Sequence, residues 1–280
     1  MREEINWEKI WAEKFEERRQ LMREGKDIDA EYWSKRAESY SDGQTTNDFE
    51  YGRKVVEALR ELITLESEVL DIGAGPGTLL IPFAKKVRKV TAIEPATGMV
   101  ECLKRNAERK GIESFEFINS TWQDVEISDI DQRFDLVICS HAVWFFKDLW
   151  EQLRRMEQAS KEYCCLVNGV TPYGDFDILW REVMGEERKR PFGTEQNVLY
   201  NILYEWGRLT NVKMVSYTSQ IPIESWITSR EMLFDRYIDV TPEVKKLIRE
   251  HVSDRAQDGV YKMDGQAAVM WWKTPGLDHE

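Results

Sequence analysis

The chain has 280 residues, with 39 Lys plus Arg against 51 Asp plus Glu, a formal net charge of −12. That length suits one large domain or two small ones with a full core, and 42% hydrophobic with 32% charged residues excludes a disordered tail. The negative charge argues against tight nucleic-acid binding and against docking on anionic lipid, since both need clustered positive surface. Four Cys with no CxxC exclude a disulfide framework and a zinc ribbon. Three His (His141, His251 and His279) without HExxH or HxH spacing exclude a histidine-rich site, so no metal is expected. The N-terminus MREEINWEKI lacks the apolar stretch of a signal peptide. No run approaches the roughly 18 apolar residues of a membrane span, so the expected location is the cytoplasm.

The first third reads as helix. Trp7, Trp11 and Phe15 recur four apart, and 30–40 (AEYWSKRAESY) sets Tyr32, Trp33, Ala37 and Tyr40 on or near one face. Residues 41–48 (SDGQTTND) read as a loop, and 50–66 resume a helical pattern through Val55, Val56, Leu59, Leu62 and Ile63. From residue 67 strand and helix alternate. SEVLDIGAG is a strand ending in glycines, TLLIPFAKKV a helix, KVTAIEP a strand, and ATGMVECLKRNAERKG a helix closed by Gly111. Strands SFEFINS and FDLVICSH follow, then helix KDLWEQLRRMEQASK and strand EYCCLVNGV. Continuous apolar strands separated by helices indicate a parallel sheet covered on both faces.

Beyond residue 170, DILWREVMGEER and VLYNILYEWGRL read as helices joined by a loop with Pro191 and Gly193. VKMVSYTSQIPI reads as a strand, REMLFDRYI and EVKKLIREHV as helices, and QAAVMWWKT as a last strand. Helical insertions thus follow the fifth and sixth strands. No repeat or low-complexity linker divides the chain. One domain over 1–280 is expected, with a helical extension at 1–66, a core at 67–170, and insertions plus the last two strands at 171–280.

The chemistry concentrates in Val69-Leu70-Asp71-Ile72-Gly73-Ala74-Gly75-Pro76-Gly77-Thr78, a buried strand running into a glycine turn and a helix. Such turns lie at the carboxyl edge of open sheets, where ligands bind. The second strand ends at Glu94, an acid able to accept hydrogen bonds from both hydroxyls of a ribose. The dinucleotide fingerprint GxGxxG fits Gly73 and Gly75, but its third glycine falls on Thr78. Asp71 would repel a diphosphate, whereas it suits a ligand carrying an ammonium and a sulfonium. The pattern favours S-adenosylmethionine over a nicotinamide cofactor.

Asp71 to Gly77 followed by Glu94 resembles the class I S-adenosylmethionine-dependent methyltransferases, closely over about 67–170 and loosely at the edge strands. The resemblance implies an α/β, Rossmann-like seven-stranded sheet of order 3-2-1-4-5-7-6 with helices on both faces. In it QAAVMWWKT supplies the antiparallel seventh strand. It also implies cofactor contacts from Asp71, Gly73, Ala74 and Gly75 around the methionine moiety, from Glu94 to the ribose, and from Pro95 and Met99 beside adenosine. Tyr40, ending an A-x-x-Tyr segment, would close over the methionine end, and Ser140 would line the cofactor edge. The adenine contact falls in Ser120-Thr121-Trp122-Gln123-Asp124, where Thr121 stands at the usual acid position. Gln123 or Asp124 could substitute; Trp122 either serves the purine or packs against the sheet.

Strand four ends in Cys139-Ser140-His141-Ala142-Val143-Trp144-Phe145-Phe146, without the Asn/Asp-Pro-Pro-aromatic motif of the DNA and protein-amide branches. With the net charge, this points to a small-molecule acceptor and no nucleic-acid or membrane partner. Methyl transfer is an in-line displacement on a sulfonium, so a base is optional. His141 is the candidate base, with an ordinary pKa near 6.5; the alternative is a histidine that merely bonds backbone beside the cofactor. Trp33, Tyr40, Trp144, Phe145, Tyr173, Trp180, Tyr200 and Tyr204 could wall an acceptor pocket or simply pack in the core. Cys164 and Cys165 read as buried strand residues rather than as a metalloid site. Arg188-Lys189-Arg190 reads as a solvated loop, with an anionic-substrate contact as the alternative. Two other functions compete: a non-catalytic S-adenosylmethionine-binding protein and an NAD(P)-dependent oxidoreductase. The oligomeric state stays open.

Overall fold

The computed structural model describes residues 5–170, 175–188 and 195–275. Tyr173, Lys189, Arg190, Pro191, Gly193 and His279 lie outside the described residues. Three helices precede the sheet: α1 (Trp7–Gln20), α2 (Ala30–Thr45) and α3 (Glu50–Ala58). Asn6 and Asp29 cap the first two, each accepting from the backbone N–H three residues on, which satisfies a donor the helix itself leaves unpaired. α2 overruns the expected loop at 41–48 and continues to Thr45. Packing overrides composition there, because Gly43 lies directly against Ile221.

The sheet contains β1 (Glu68–Ile72), β2 (Lys89–Ile93), β3 (Phe115–Ile118), β4 (Phe134–Ser140), β5 (Ser160–Gly169), β6 (Asn211–Pro222) and β7 (Val260–Lys273). Their spatial order is β3-β2-β1-β4-β5-β7-β6. The first five strands pair in parallel, and β7 runs antiparallel between β5 and β6. This is the order implied by the sequence resemblance. Between the strands lie α4 (Leu80–Phe83), α5 (Thr97–Arg109), α6 (Leu149–Ala159), α7 (Asp175–Met184), α8 (Glu195–Glu205), α9 (Ile223–Phe234) and α10 (Pro242–Arg255). The helical additions follow β5 and β6, as the sequence suggests.

α4 is a single turn rather than the ten-residue helix expected from TLLIPFAKKV. After Phe83 the N–H groups of Lys86 and Val87 both return to its carbonyl, so the chain turns at once toward β2. α9 starts seven residues earlier than its sequence pattern because Pro222, lacking an N–H, ends the ladder of β6 and leads straight into the helix.

Alternation along the strands divides the core into a cluster on each face of the sheet. Leu70, Ile72 and Cys164 join one cluster, and Val69, Ile138 and Cys165 the other. Cys102 belongs to a third cluster, under α2. The four thiols are free, buried and spread over these clusters, as the sequence reading of Cys164 and Cys165 expects. A further apolar cluster joins α7, α9 and α10 to Ile221 and Tyr261. No helix among the described residues is long and apolar enough to cross a membrane.

Candidate functional site

The strand order reverses between β1 and β4, and connections leaving these two strands diverge, opening a crevice at their carboxyl ends. The glycine turn after β1 sits there. Gly73, Gly75 and Gly77 take φ of +73°, +56° and +91°. At Gly73 the requirement is also one of space, because a Cβ would come within 2.7 Å of Ala142 Cβ on the neighbouring β4 edge. A Cβ on Gly75 would meet nothing within 4 Å, so the turn borders open space.

Backbone and side chains hold the turn in place. The N–H groups of Gly73 and Ala74 donate to Ile93 O at 2.8 and 3.2 Å. Asn106 of α5, fully buried, donates to Pro76 O at 2.9 Å and to Ser41 Oγ of α2 at 3.0 Å. One amide thereby ties the turn to both helices beside it. Glu94 accepts from Gly75 N through Oε2 and from Ala96 N through Oε1, both at 2.9 Å. Burial raises the pKa of Glu94, and these two N–H groups oppose the rise. Asn119 donates to Glu94 O at 2.7 Å, fixing the backbone behind the carboxylate.

Asp71 is buried on β1 with one oxygen, Oδ2, lacking any partner. Burial, and then the charge of Glu94, push its pKa up to about 7, against a hydrogen bond from the backbone of Leu80. The protein thus holds a costly buried acid with an unpartnered oxygen, which fits a site completed by a cationic ligand.

At the end of β4, His141 adopts φ +54°, a strained region for a residue with a side chain. Two bonds lock it there: its N–H donates to Val167 O at 2.9 Å, and its carbonyl accepts from Trp144 Nε1 at 2.7 Å. His141 is exposed at this edge, with many protein atoms packed around it. Desolvation pushes its pKa down to about 4, below the 6.5 assumed from sequence. Tyr51 of α3 lies beside it at 5.3 Å between ring centroids and hydrogen-bonds Ser140 Oγ at 2.7 Å. Tyr217 of β6 packs edge-on to Tyr51 at 4.8 Å. Tyr40 of α2 is close enough to raise the pKa of both phenols and to feel Glu94. Burial raises all three phenol pKa values, Tyr217 to about 12, so they remain protonated donors.

The fold therefore brings Tyr40, Asp71, Gly73, Ala74, Gly75, Glu94, Ser140 and His141 to one edge. Met99 is buried under α2 beside Ala37 and Ala96, and Pro95 is half-buried at the start of that connection. Trp122 opens the short helical turn after β3. Its side chain is in the core, with Nε1 donating to Gln152 O at 3.4 Å and Arg155 over its ring. Thr121 Oγ1 donates to Asp124 Oδ2 at 2.6 Å, and Gln123 Nε2 donates to Phe145 O at 3.4 Å.

Among the described residues the expected aromatic wall does not form as a unit. Tyr200 and Tyr204 are exposed on α8, Trp180 packs on Phe234 and Tyr237, and Trp144 stacks on Phe145. Tyr51 and Tyr217 stand at this edge instead. Neither carries a sequence signal, since each interrupts an otherwise ordinary apolar pattern far from the glycine turn.

Known proteins agree with this geometry. Residues 69–162 match the family described as a methyltransferase domain. YcgJ of Bacillus subtilis, an uncharacterised methyltransferase, is 26% identical over 234 residues, covering 81% of this chain and 87% of its own. The aklanonic acid methyltransferase DauC of a Streptomyces species is 37% identical over 108 residues, 37% of this chain and 47% of its own. A crystal structure assigned to a methyltransferase of Bacillus halodurans shares the fold, with a TM-score of 0.53 and 21% identity over 79% of this chain and 99% of that one. Motif, sheet order and relatives agree in supporting a class I S-adenosylmethionine-dependent methyltransferase, with the methyltransferase domain matched over residues 69–162.

Proposed function

We propose that the enzyme methylates a small-molecule acceptor beside His141. The observation that carries this reading is the gathering of Tyr40, Tyr51 and Tyr217, from three separate elements, beside His141 at the β4 edge. An aromatic cluster of this kind beside the β4 edge suits a small acceptor with an apolar body. The net charge of −12 disfavours nucleic acid, and the relative DauC is named for a small molecule, aklanonic acid.

The residues present fit S-adenosylmethionine on two counts: the unpartnered, buried Asp71 Oδ2 and the open space beside Gly75. When bound, the cofactor supplies an electrophilic methyl on a positively charged sulfur, open to in-line displacement. Asp71 would face its cationic groups, with Gly73, Ala74 and Gly75 giving close backbone approach. Glu94 would take the ribose; each of its oxygens retains a second lone pair beyond the N–H it already accepts. Pro95 and Met99 would flank adenosine, Thr121 and the backbone of Trp122 its base, and Tyr40 and Ser140 the methionine end.

His141 is neutral at pH 7 and able to accept a proton from the acceptor, though its low pKa makes it a weak base. Orientation of the acceptor supplies the larger effect, since near-attack positioning is worth roughly 7–11 kcal/mol. The test is incubation of the enzyme and methyl-tritiated cofactor with a cell extract, followed by ultrafiltration. Label should appear in the low-molecular-weight filtrate; label confined to protein or nucleic acid contradicts a small acceptor.

A further inference from the structure

We propose that Arg36 of α2 and Arg230 of α9 form an anion-recognition site for a carboxylate of the methyl acceptor. The proposal rests on the methyltransferase reading and adds the chemical class of the substrate. Arg36 is 9% exposed and Arg230 7%. Buried charges are normally paired. Arg18, the other arginine buried among the described residues, meets Glu195 at 3.1 Å, and the half-buried Arg208 grips both oxygens of Glu157.

Among the described residues no carboxylate lies within ion-pair reach of Arg36 or Arg230. Their acceptors are two hydroxyls. Ser229 Oγ receives Arg36 Nε at 3.0 Å, Arg36 Nη2 at 2.6 Å and Arg230 Nη2 at 3.4 Å, while Tyr32 Oη receives Arg36 Nη1 at 3.1 Å. A hydroxyl oxygen has two lone pairs, so three N–H groups exceed what Ser229 can accept. Arg230 Nε has no partner at all. Two guanidiniums therefore converge on one neutral oxygen with donors to spare.

The electrostatics agree with that geometry. Burial, then the charge of Arg36, bring the pKa of Arg230 down to about 9, with Tyr32 opposing. Aromatic faces relieve the charges without neutralising them: Arg230 lies 3.8 Å from the Trp226 ring centroid, and Arg36 5.1 Å from Trp33. A carboxylate matches the planar fork of a guanidinium and would supply the missing charge.

Position selects the acceptor over the cofactor as the source. Arg36 is one turn before Tyr40 and 5.9 Å from its ring, so the Arg36 end of the pair adjoins the tyrosines beside His141. Arg230 sits on the helix after β6, outside the strands that carry the glycine turn and Glu94. Its apolar surroundings, Trp226 and Phe176, suit a hydrophobic or aromatic acid.

The experiment is a thermal-shift series at constant ionic strength, with and without S-adenosylhomocysteine, using benzoate, octanoate, benzamide, octanamide and inorganic phosphate. The two carboxylates should raise the melting temperature, and the amides and phosphate should not. In R230M, whose side chain keeps an apolar stem, carboxylate affinity should fall about tenfold or more while the S-adenosylhomocysteine shift persists. Ligand-free R230M should be at least as stable as the native protein, because an unpaired buried cation is gone. Should R230M not fold, R230K keeps the charge and should retain a weakened carboxylate shift.

No carboxylate shift in the native protein, or an unchanged shift in R230M, overturns the proposal, as does R230K folding without one. An equal response to phosphate overturns the choice of carboxylate. Loss of the S-adenosylhomocysteine shift in R230M would assign the arginines to the cofactor's own carboxylate and overturn the acceptor site. Failure of the native protein to respond to S-adenosylhomocysteine, with the carboxylate shift intact, would instead undo the methyltransferase reading.

Discussion

Asp71 holds its proton more tightly in the folded protein than in the unfolded chain, because burial and Glu94 both disfavour its charge. Its contribution to stability is therefore fully present below the ordinary value of 3.8 and is lost as pH rises through about 7. The ceiling on that loss is ~4 kcal/mol. Asp71→Asn, which cannot ionise, should raise the melting temperature of the ligand-free protein at pH 8 and flatten its decline between pH 5 and about 7. Parallel curves for variant and native protein would remove Asp71 as the cause. His141 makes a second prediction at this scale. If it accepts the acceptor's proton, kcat/KM should fall on an acid limb near pH 4, not near 6.5, and His141→Asn should abolish that limb with cofactor affinity retained. Asn tolerates the left-handed backbone at this position, so the variant separates chemistry from strain. Asp71, the glycines and Glu94 are legible in the sequence because they sit in one strand-turn unit and at the next strand's end. Tyr51, Tyr217, Arg36 and Arg230 are not, since only the tertiary fold carries them from α2, α3, β6 and α9 to the site.

At the scale of elements, two glycines separate fit from function. Gly98 lets α5 approach α2 so closely that a Cβ would fall 2.5 Å from Ser34 O, a backbone atom that cannot yield without moving the helix. Gly98→Ala should therefore destabilise the protein by about 1–3 kcal/mol in chemical denaturation and weaken cofactor binding indirectly. Gly75→Ala meets no atom within 4 Å and carries mainly the cost of its positive φ, about 1 kcal/mol. It should nevertheless remove most S-adenosylhomocysteine affinity, because its methyl group enters the open space beside the turn. Equal stability losses with intact binding in both variants would contradict this view of the turn. Element type is well marked in the sequence by periodicity, since strands of the parallel core are continuous apolar runs and Gly111 ends α5 with φ +64°. Boundaries are less so: packing of Gly43 on Ile221 extends α2, and an early turn after Phe83 truncates α4.

At the scale of the molecule, seven strands in the order 3-2-1-4-5-7-6 put the glycine turn, Glu94 and the β4 terminus at one edge, and the N-terminal helices close over it. The sheet order follows from the motif through family resemblance, whereas the helices after β5 and β6 carry no signal for what they surround. We propose that 1–280 acts as one domain, with α2 completing the cofactor edge and α9 the acceptor side. The central claim is that this edge binds S-adenosylmethionine through the turn and Glu94. Its most direct test is calorimetric titration of the native protein and Glu94→Ala with S-adenosylhomocysteine, with NAD as the control ligand. The account predicts saturable 1:1 binding to the native protein, at least about tenfold weaker binding to Glu94→Ala, and no heat from NAD. Binding of NAD in place of S-adenosylhomocysteine, or equal affinity in the variant, would contradict it.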